Sequence, residues 1–267
     1  MSTIEIADAE FFAFTDLAYE LAGIRMDDSK RNLIISRLSR RLRTLQLTSM
    51  LEYKDYLLSN MGQEKQNFIN ALTTNLTSFY RESHHFDYLR EWAQNEHKGH
   101  IKIWSTACST GQEAYSAAMT MLDCNAGQRC SILATDIDTE CLSKASEGVY
   151  RKADVKDLSR ELLSRHFMKG VGNNDGYVRV KDSVRNMLEF SEFNLSDDWS
   201  EVGQFHVIFC RNVFIYFDDE TQQRILQHFC KQLHSGGILF LGHSETMKNN
   251  DGSFVLDRRS AYRRSQS

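Results

Sequence analysis

The residues best suited to chemistry in this 267-residue chain are Arg81, Asp136, Arg211, Asn212 and Tyr216, with a loop of small residues from Ala107 to Gly111. Arg81 can clamp a carboxylate through its planar fork, or it can serve as a cap or ion-pair partner. Asp136 ends the run Ser131-Ile-Leu-Ala-Thr-Asp136, about two dozen residues past the small-residue loop, where an acid accepts two hydrogen bonds from ribose hydroxyls. The plainer reading is that Asp136 or Asp138 caps a helix starting near Thr139. We assign Asp136 to a ligand and Asp138 to the cap, because the strand-terminal residue faces the cleft. Arg211 and Asn212 interrupt the densest apolar run, Phe205 to Phe217, and polar groups there carry a desolvation cost unless paired or facing a ligand. Tyr216 either places its hydroxyl in the same cleft or packs as a core aromatic.

Such residues need elements to hold them. Ile101 to Trp104, Ser131 to Ala134, Met187 to Phe190, Phe205 to Phe209 and Ile238 to Leu241 read as strands. Gln112 to Leu122, Thr139 to Glu147 and Asp219 to Leu233 read as helices. The alternation implies an α/β fold, a mainly parallel sheet with helices on both faces, whose ligands bind at the carboxyl ends of the strands beside the first one. The stretch Ile101-Lys-Ile-Trp-Ser-Thr-Ala-Cys-Ser-Thr-Gly111 then places a sharp loop and helix N–H groups toward a ligand of nucleotide size. Only Gly111 is a glycine in that loop, short of a dinucleotide fingerprint. The phosphate loop, the metalloprotease motif and the nucleophile elbow are absent. His243 and Ser244 are neighbours and do not face each other as a catalytic pair would. The glycine-rich stretch between Met168 and Val180 leads into Tyr177-Val-Arg-Val180, a hairpin predicting a small antiparallel lobe over about 168–186. Its edge either accepts a peptide strand or is an ordinary surface hairpin.

Residues 1–72 carry helical spacing instead, with Phe11, Phe14, Leu17, Ala18 and Leu21 on one face. Within them, Ile34, Leu38, Leu42 and Leu45 form an apolar stripe beside Lys30, Arg31, Arg37, Arg40, Arg41 and Arg43. A solvated basic face is one reading; the other is a docking surface for an acidic partner, since such clustered cations repel one another. The linker, 73–90, combines Asn75, Thr77 and Arg81 with Leu76, Phe79 and Phe86, and so should pack rather than hang free. His84 and His85 are adjacent, and adjacent helical residues diverge by ~100°, a poor arrangement for a metal.

Composition bounds the function. With 41% hydrophobic and 25% charged residues, the chain fits a soluble globular protein. It shows neither a membrane-span run nor a leader pattern at its start, so a cytoplasmic location without membrane insertion is expected. A formal charge of −4 and the lack of aromatic interleaving argue against nucleic acid. The cysteines Cys108, Cys124, Cys130, Cys141, Cys210 and Cys230 form no C-x-x-C pair, and no metal site is expected. Proline is absent, so turns rest on Gly, Asn, Asp and Ser.

Taken together, TTNLTSFYRE, IWSTACSTGQEAYS, LATDIDTECLSKA, FCRNVFIYFD and SGGILFLGHSE resemble the CheR family of chemoreceptor glutamate methyltransferases, in order along nearly the whole chain. The resemblance implies a Rossmann-like class I methyltransferase domain, 91–267, that uses S-adenosyl-L-methionine and releases S-adenosyl-L-homocysteine. It further implies a small N-terminal all-helical domain, 1–72, and an inserted antiparallel β-subdomain. The implied activity is protein-glutamate O-methyltransfer onto the cytoplasmic helical bundle of chemoreceptors, with a receptor C-terminal peptide as a possible ligand of the β-subdomain. Carried over by motif, Asn75, Thr77, Arg81, Ala107, Gly111, Gln112, Asp136, Asn194, Leu195, Arg211, Asn212 and Val213 would form the cofactor shell. Arg81 and Tyr216 would be catalytic, and Arg37, Arg40, Arg41 and Arg43 would meet the receptor. Gln112, Ala114 and His206 stand where the family usually has glutamate, proline and aspartate. Gln112 matters most, since it trades a charge for an amide at the cofactor's cationic end. Outside this assignment stand a nicotinamide oxidoreductase, which wants a glycine-richer loop, and a non-catalytic S-adenosylmethionine-binding adaptor.

Overall fold

A computed structural model describes residues 5–197, 199–200, 202–247 and 251–265. Its first part is a helical unit: α1 (Asp8–Ala22), α2 (Arg31–Leu45), α3 (Met50–Ser59) and α4 (Met61–Leu72). Phe11, Phe14, Ile34, Leu38, Leu42, Tyr53, Leu57 and Phe68 recur at helical spacing and close a core of their own. The linker then runs into α5 (His84–Asn95).

The rest alternates as expected. In order come β1 (Ile101–Ser105), α6 (Gln112–Asp123), β2 (Cys130–Asp136), α7 (Thr139–Glu147), β3 (Val149–Arg151), α8 (Arg160–His166), β4 (Phe167–Lys169), β5 (Tyr177–Val180), α9 (Asp182–Arg185) and β6 (Leu188–Glu192). They are followed by β7 (Phe205–Cys210), α10 (Asp219–Gln232), β8 (Leu233–Leu241), β9 (Phe254–Arg258) and β10 (Ala261–Arg264). Seven strands form one sheet in the order β6-β2-β1-β7-β8-β10-β9. The pairs from β6 to β8 are parallel, and only β10 pairs antiparallel with β8 and β9. The connection reverses direction between β1 and β7, so a crevice opens beyond the carboxyl ends of those strands.

Strand alternation explains the two layers of packing. Ile103, Val207, Phe209, Ile238 and Phe240 face α5 and α6, whereas Trp104, Ile208, Leu239 and Leu241 face α10. Trp104 anchors the second face: its ring contacts Phe193, Trp199, Phe205 and Phe229, and its Nε1 donates to Thr135 Oγ1 at 2.9 Å.

The small antiparallel sheet has the order β3-β5-β4. It therefore recruits Val149–Arg151, which lies outside the 168–186 stretch. A three-residue strand with no turn signal of its own is invisible to periodicity; only pairing with β5 makes it a strand. β5, the strand the sequence pointed to, sits in the centre, so the edges belong to β3 and β4.

Candidate functional site

At the crevice beyond β1 and β7 lies a cleft with about 960 Å³ of space including its open mouth. Asn75, Thr77, Arg81, Ala107, Asp136, Asn194, Leu195, Arg211, Asn212, Val213 and Tyr216 all line it. They come from the linker, the β1 loop, the end of β2, the segment after β6 and the turn after β7. The helical unit adds Ala22, Ile24 and Leu72.

Two residues assigned to the cofactor shell do not line the cleft. Gly111 has φ +93° and packs against other elements: a Cβ there would stand 3.0 Å from the Ala145 Cβ and 3.1 Å from the Tyr150 hydroxyl. Its glycine serves a close approach inside the protein. Gln112 is buried, and its Oε1 accepts from Thr110 Oγ1 at 2.8 Å. The next residue, Glu113, faces the cleft instead. One residue along a helix is a rotation of ~100°, enough to exchange a lining position for a packing one. The substitution at Gln112 therefore leaves the acidic group in the cleft intact.

Glu113 was missed by sequence reasoning, and its surroundings are built for a charge. Its Oε1 accepts from Ser105 Oγ at 2.7 Å and its Oε2 lies 3.0 Å from Arg211 Nη1. Burial raises its pKa, against the pull of Arg211 and Ser105. Arg211 is held on the other side by Glu82, 3.4 Å away, and by the Arg81 carbonyl, which accepts from Nη2 at 2.6 Å. Burial would lift Glu82, but the hydrogen bond from His243 and the Arg211 charge outweigh it and hold Glu82 at about 2. Arg211 thus lines the cleft with its guanidinium already committed to carboxylates.

Asp136 closes the other end. Its Oδ2 accepts from the Ser109 N–H at 2.7 Å and its Oδ1 from the Asp138 N–H at 2.9 Å. Burial nonetheless pushes its pKa up to about 6. The loop amide at Ser109 is spent on Asp136. Such a cleft is poorly furnished for a phosphate and well furnished for a ligand carrying hydroxyls and positive charge. Phe193, Leu195, Val213 and Phe217 supply an apolar wall suited to a base.

Residues around the mouth are held in unusual geometry. Arg81, whose Nη1 donates to the Leu76 carbonyl at 2.9 Å, lies between Tyr80 and Glu82, both with positive φ (52° and 57°). Asn212 also has positive φ (59°), and its N–H donates to Glu245 Oε2 at 2.8 Å while the Phe214 N–H donates to Oε1 at 2.8 Å. A buried carboxylate from the loop after β8 thereby shapes the turn that carries Tyr216. In the sequence Glu245 appears only as the last residue of the motif SGGILFLGHSE. Ligand-type atoms of Glu82, His84 and His85 lie within 4.8 Å of one another. Arg211 already supplies the positive charge at Glu82, and burial with Arg211 holds His85 at about 3. A cation there would have to displace a guanidinium.

Family models match nearly end to end: "CheR methyltransferase, all-alpha domain" over 9–73 and "CheR methyltransferase, SAM binding domain" over 75–262. This chain belongs to the CheR methyltransferase family. The chemotaxis protein methyltransferases of Salmonella typhimurium and Escherichia coli (strain K12) are 46% and 44% identical to it, each over 97% of this chain and 91% and 92% of their own. Chemotaxis protein methyltransferase 2 of Pseudomonas aeruginosa is 44% identical over 88% of this chain and 86% of its own. Among solved structures, PKMT2 from Rickettsia typhi aligns with a TM-score of 0.40 at 18% identity, covering 62% of this chain and 26% of that one. As a CheR methyltransferase with its S-adenosylmethionine-binding domain, the chain is an S-adenosylmethionine-dependent methyltransferase of chemotaxis. The acids and the apolar wall of the cleft fit that cofactor's cationic amino acid end, ribose and adenine.

The basic helix differs from expectation. Arg31 pairs with Asp8 at 2.8 Å and Asp28 at 2.7 Å. Arg41 meets the buried Glu64 through two contacts of 2.6 Å. Arg37 donates to the carbonyls of Leu72 and Thr73 and to Thr74 Oγ1, fastening the end of α4 and the start of the linker. Arg37 and Arg41 are thus occupied internally, whereas Arg40 and Arg43 are exposed and make no ion pair among the described residues. The partners of Arg37 and Arg41 lie 23 to 37 positions away in sequence, which is why those two charges looked uncompensated.

Proposed function

We propose that the protein transfers a methyl group from S-adenosylmethionine to glutamate side chains on the cytoplasmic helical bundle of chemoreceptors, leaving glutamate methyl esters and S-adenosyl-L-homocysteine. The observation that carries this is one cleft lined by two acids, Glu113 and Asp136, together with Arg81 and Tyr216. The names of the relatives, chemotaxis protein methyltransferases, supply the biological setting. A cytoplasmic location follows from that substrate, and no helix among the described residues is long and apolar enough to cross a membrane.

When bound, S-adenosylmethionine supplies an electrophilic methyl on a sulfonium. Glu113 attracts its ammonium, Asp136 accepts from its ribose, and Asn194, Leu195 and Val213 flank its adenine. Asn75, Thr77, Ala107 and Asn212 complete the walls, and Arg211 opposes the rise that burial gives the Glu113 carboxyl. Arg81 anchors the substrate carboxylate and Tyr216 orients its attacking oxygen. A glutamate is ionised at neutral pH, with a reference pKa of ~4.3, so no general base is needed. Catalysis is alignment of that oxygen with the methyl and exclusion of water. Arg40 and Arg43 offer positive charge to an acidic receptor helix, and an edge of the β3-β5-β4 sheet offers a strand-pairing site for a receptor C-terminal peptide.

The test is labelled methyl transfer to receptor cytoplasmic fragments. We expect base-labile label, its loss in Arg81→Ala, and S-adenosylhomocysteine affinity about tenfold weaker in Asp136→Asn. Because the Asp136 pKa is about 6, wild-type affinity should fall as pH drops through that value. Base-stable label would refute the ester; undiminished transfer by Arg81→Ala would refute its role.

A further inference from the structure

A helix cap needs one carboxylate oxygen, and Asp138 uses only Oδ1 for that purpose, accepting from the Cys141 N–H at 3.0 Å. Its Oδ2 turns the other way. It accepts from Thr73 Oγ1 at 2.7 Å and from Asn75 Nδ2 at 2.7 Å, residues 65 and 63 positions earlier in the chain. Asp138 is 2% exposed, so these are charge-assisted bonds shielded from water.

The bonds form part of a closed ring. The Asp138 N–H donates to Asp136, the Ser109 N–H also donates to Asp136, and Ser109 Oγ donates to the Asn75 carbonyl at 3.1 Å. Asn75 returns to Asp138 through its side chain. One ring therefore joins the linker strap 73–77, the β1 loop and the acid at the end of β2, all of which line the cleft. The helical unit holds the start of the strap from behind through Arg37 on the carbonyls of Leu72 and Thr73, and Gln66 Nε2 ties α4 to the end of β2 by donating to the Ile137 carbonyl at 2.7 Å.

We propose that Asp138 is a positioning residue for the cofactor, latching the interdomain strap onto the acid that receives the ribose. It touches no reacting atom. Without the latch the helix cap can persist, but Asn75 and Thr77 lose their place over the cleft. The inference rests on S-adenosylmethionine occupying this cleft.

Asp138→Asn separates the latch from the cap. Asparagine caps a helix about as well as aspartate, yet its NH2 would face two donors, Thr73 and Asn75. Thr73→Val breaks the latch from the strap side and leaves the cap untouched. Affinity for S-adenosylhomocysteine is measured by calorimetry on the full chain, with thermal melts and steady-state kinetics. We expect Asp138→Asn to weaken binding about tenfold and Thr73→Val about threefold, with the double variant weaker by less than the product. The KM for S-adenosylmethionine should rise while kcat at saturation stays within about twofold. Unchanged affinity in Thr73→Val overturns the proposal, as does a lower melting temperature with unchanged affinity in Asp138→Asn. If Asp138→Asn does not fold, Thr73→Val decides alone. Tight wild-type binding that Asp136→Asn leaves intact would instead move the cofactor out of this cleft.

Discussion

In the cleft, Arg211 is 1% exposed and sits between Glu82 and Glu113; on α2, Arg40 and Arg43 stand in solvent. Both regions concentrate cations, and both look alike in sequence, as arginines beside apolar residues. Their energetics are opposite. A buried ion has lost its hydration and depends on its partners, so breaking the arrangement leaves an uncompensated charge. An exposed ion keeps its hydration, contributes little to stability, and remains available to another molecule. Arg37 and Arg41 fall between the two, half-buried on the same helix as Arg40 and Arg43. A single helix thus divides its arginines between holding the protein together and facing outward.

The largest effect that would break this contrast belongs to Arg211. Arg211→Ala should destabilise the protein by about 3–5 kcal/mol, because it strands Glu113 and Glu82. Urea unfolding reads it; a loss below about 1 kcal/mol would mean that water reaches those carboxylates and that the two regions do not differ.

Next in size is the division within α2. Arg41→Ala should cost about 2–3 kcal/mol by leaving Glu64 buried and unpaired. Arg40→Glu with Arg43→Glu should stay within about 0.5 kcal/mol of wild type. That double reversal should nevertheless slow receptor methylation about tenfold at low ionic strength, with the difference shrinking as salt rises and cofactor affinity unchanged. Equal stability losses in the two variants would erase the distinction between inward and outward arginines.

The smallest effect lies at the opposite end of the sheet. Burial, with His234 and His97 nearby, lowers the His206 pKa to about 4. The unfolded chain therefore takes up its proton first, and this contribution to stability, present above pH ~6.5, is lost as pH falls toward 4. His206→Asn keeps an acceptor for the Lys102 N–H, which donates to Nδ1 at 3.1 Å in the wild type. It should make the melting temperature fall less steeply over that window; an identical slope would place the acid sensitivity elsewhere.

Much of the sheet was legible because its strands are short apolar runs between turn residues, and Thr139–Glu147 was bounded correctly by Asp138 before it and Gly148 after it. The lining of the cleft was legible where motifs mark strand ends, as at Asp136 and at Arg211 to Val213. Failures came where one residue of register or one distant partner decides. Gln112 and Glu113 are neighbours of similar shape, and no local rule says which one α6 turns inward. Val149–Arg151 had no pattern of its own. Glu82, read as part of a linker, became a counter-ion only when β7 brought Arg211 to it.

Returning to the chemical residues, the sequence by itself determined the alternating α/β order, the helical N-terminal part and the set of polar groups at the strand ends. These depend on periodicity and turn chemistry, which act over a few residues. Tertiary structure alone decided which charges are spent and which are free. Whether an arginine or aspartate is a ligand, a latch or a surface charge depends on groups dozens of positions away, through Coulomb and desolvation terms that only packing brings into range.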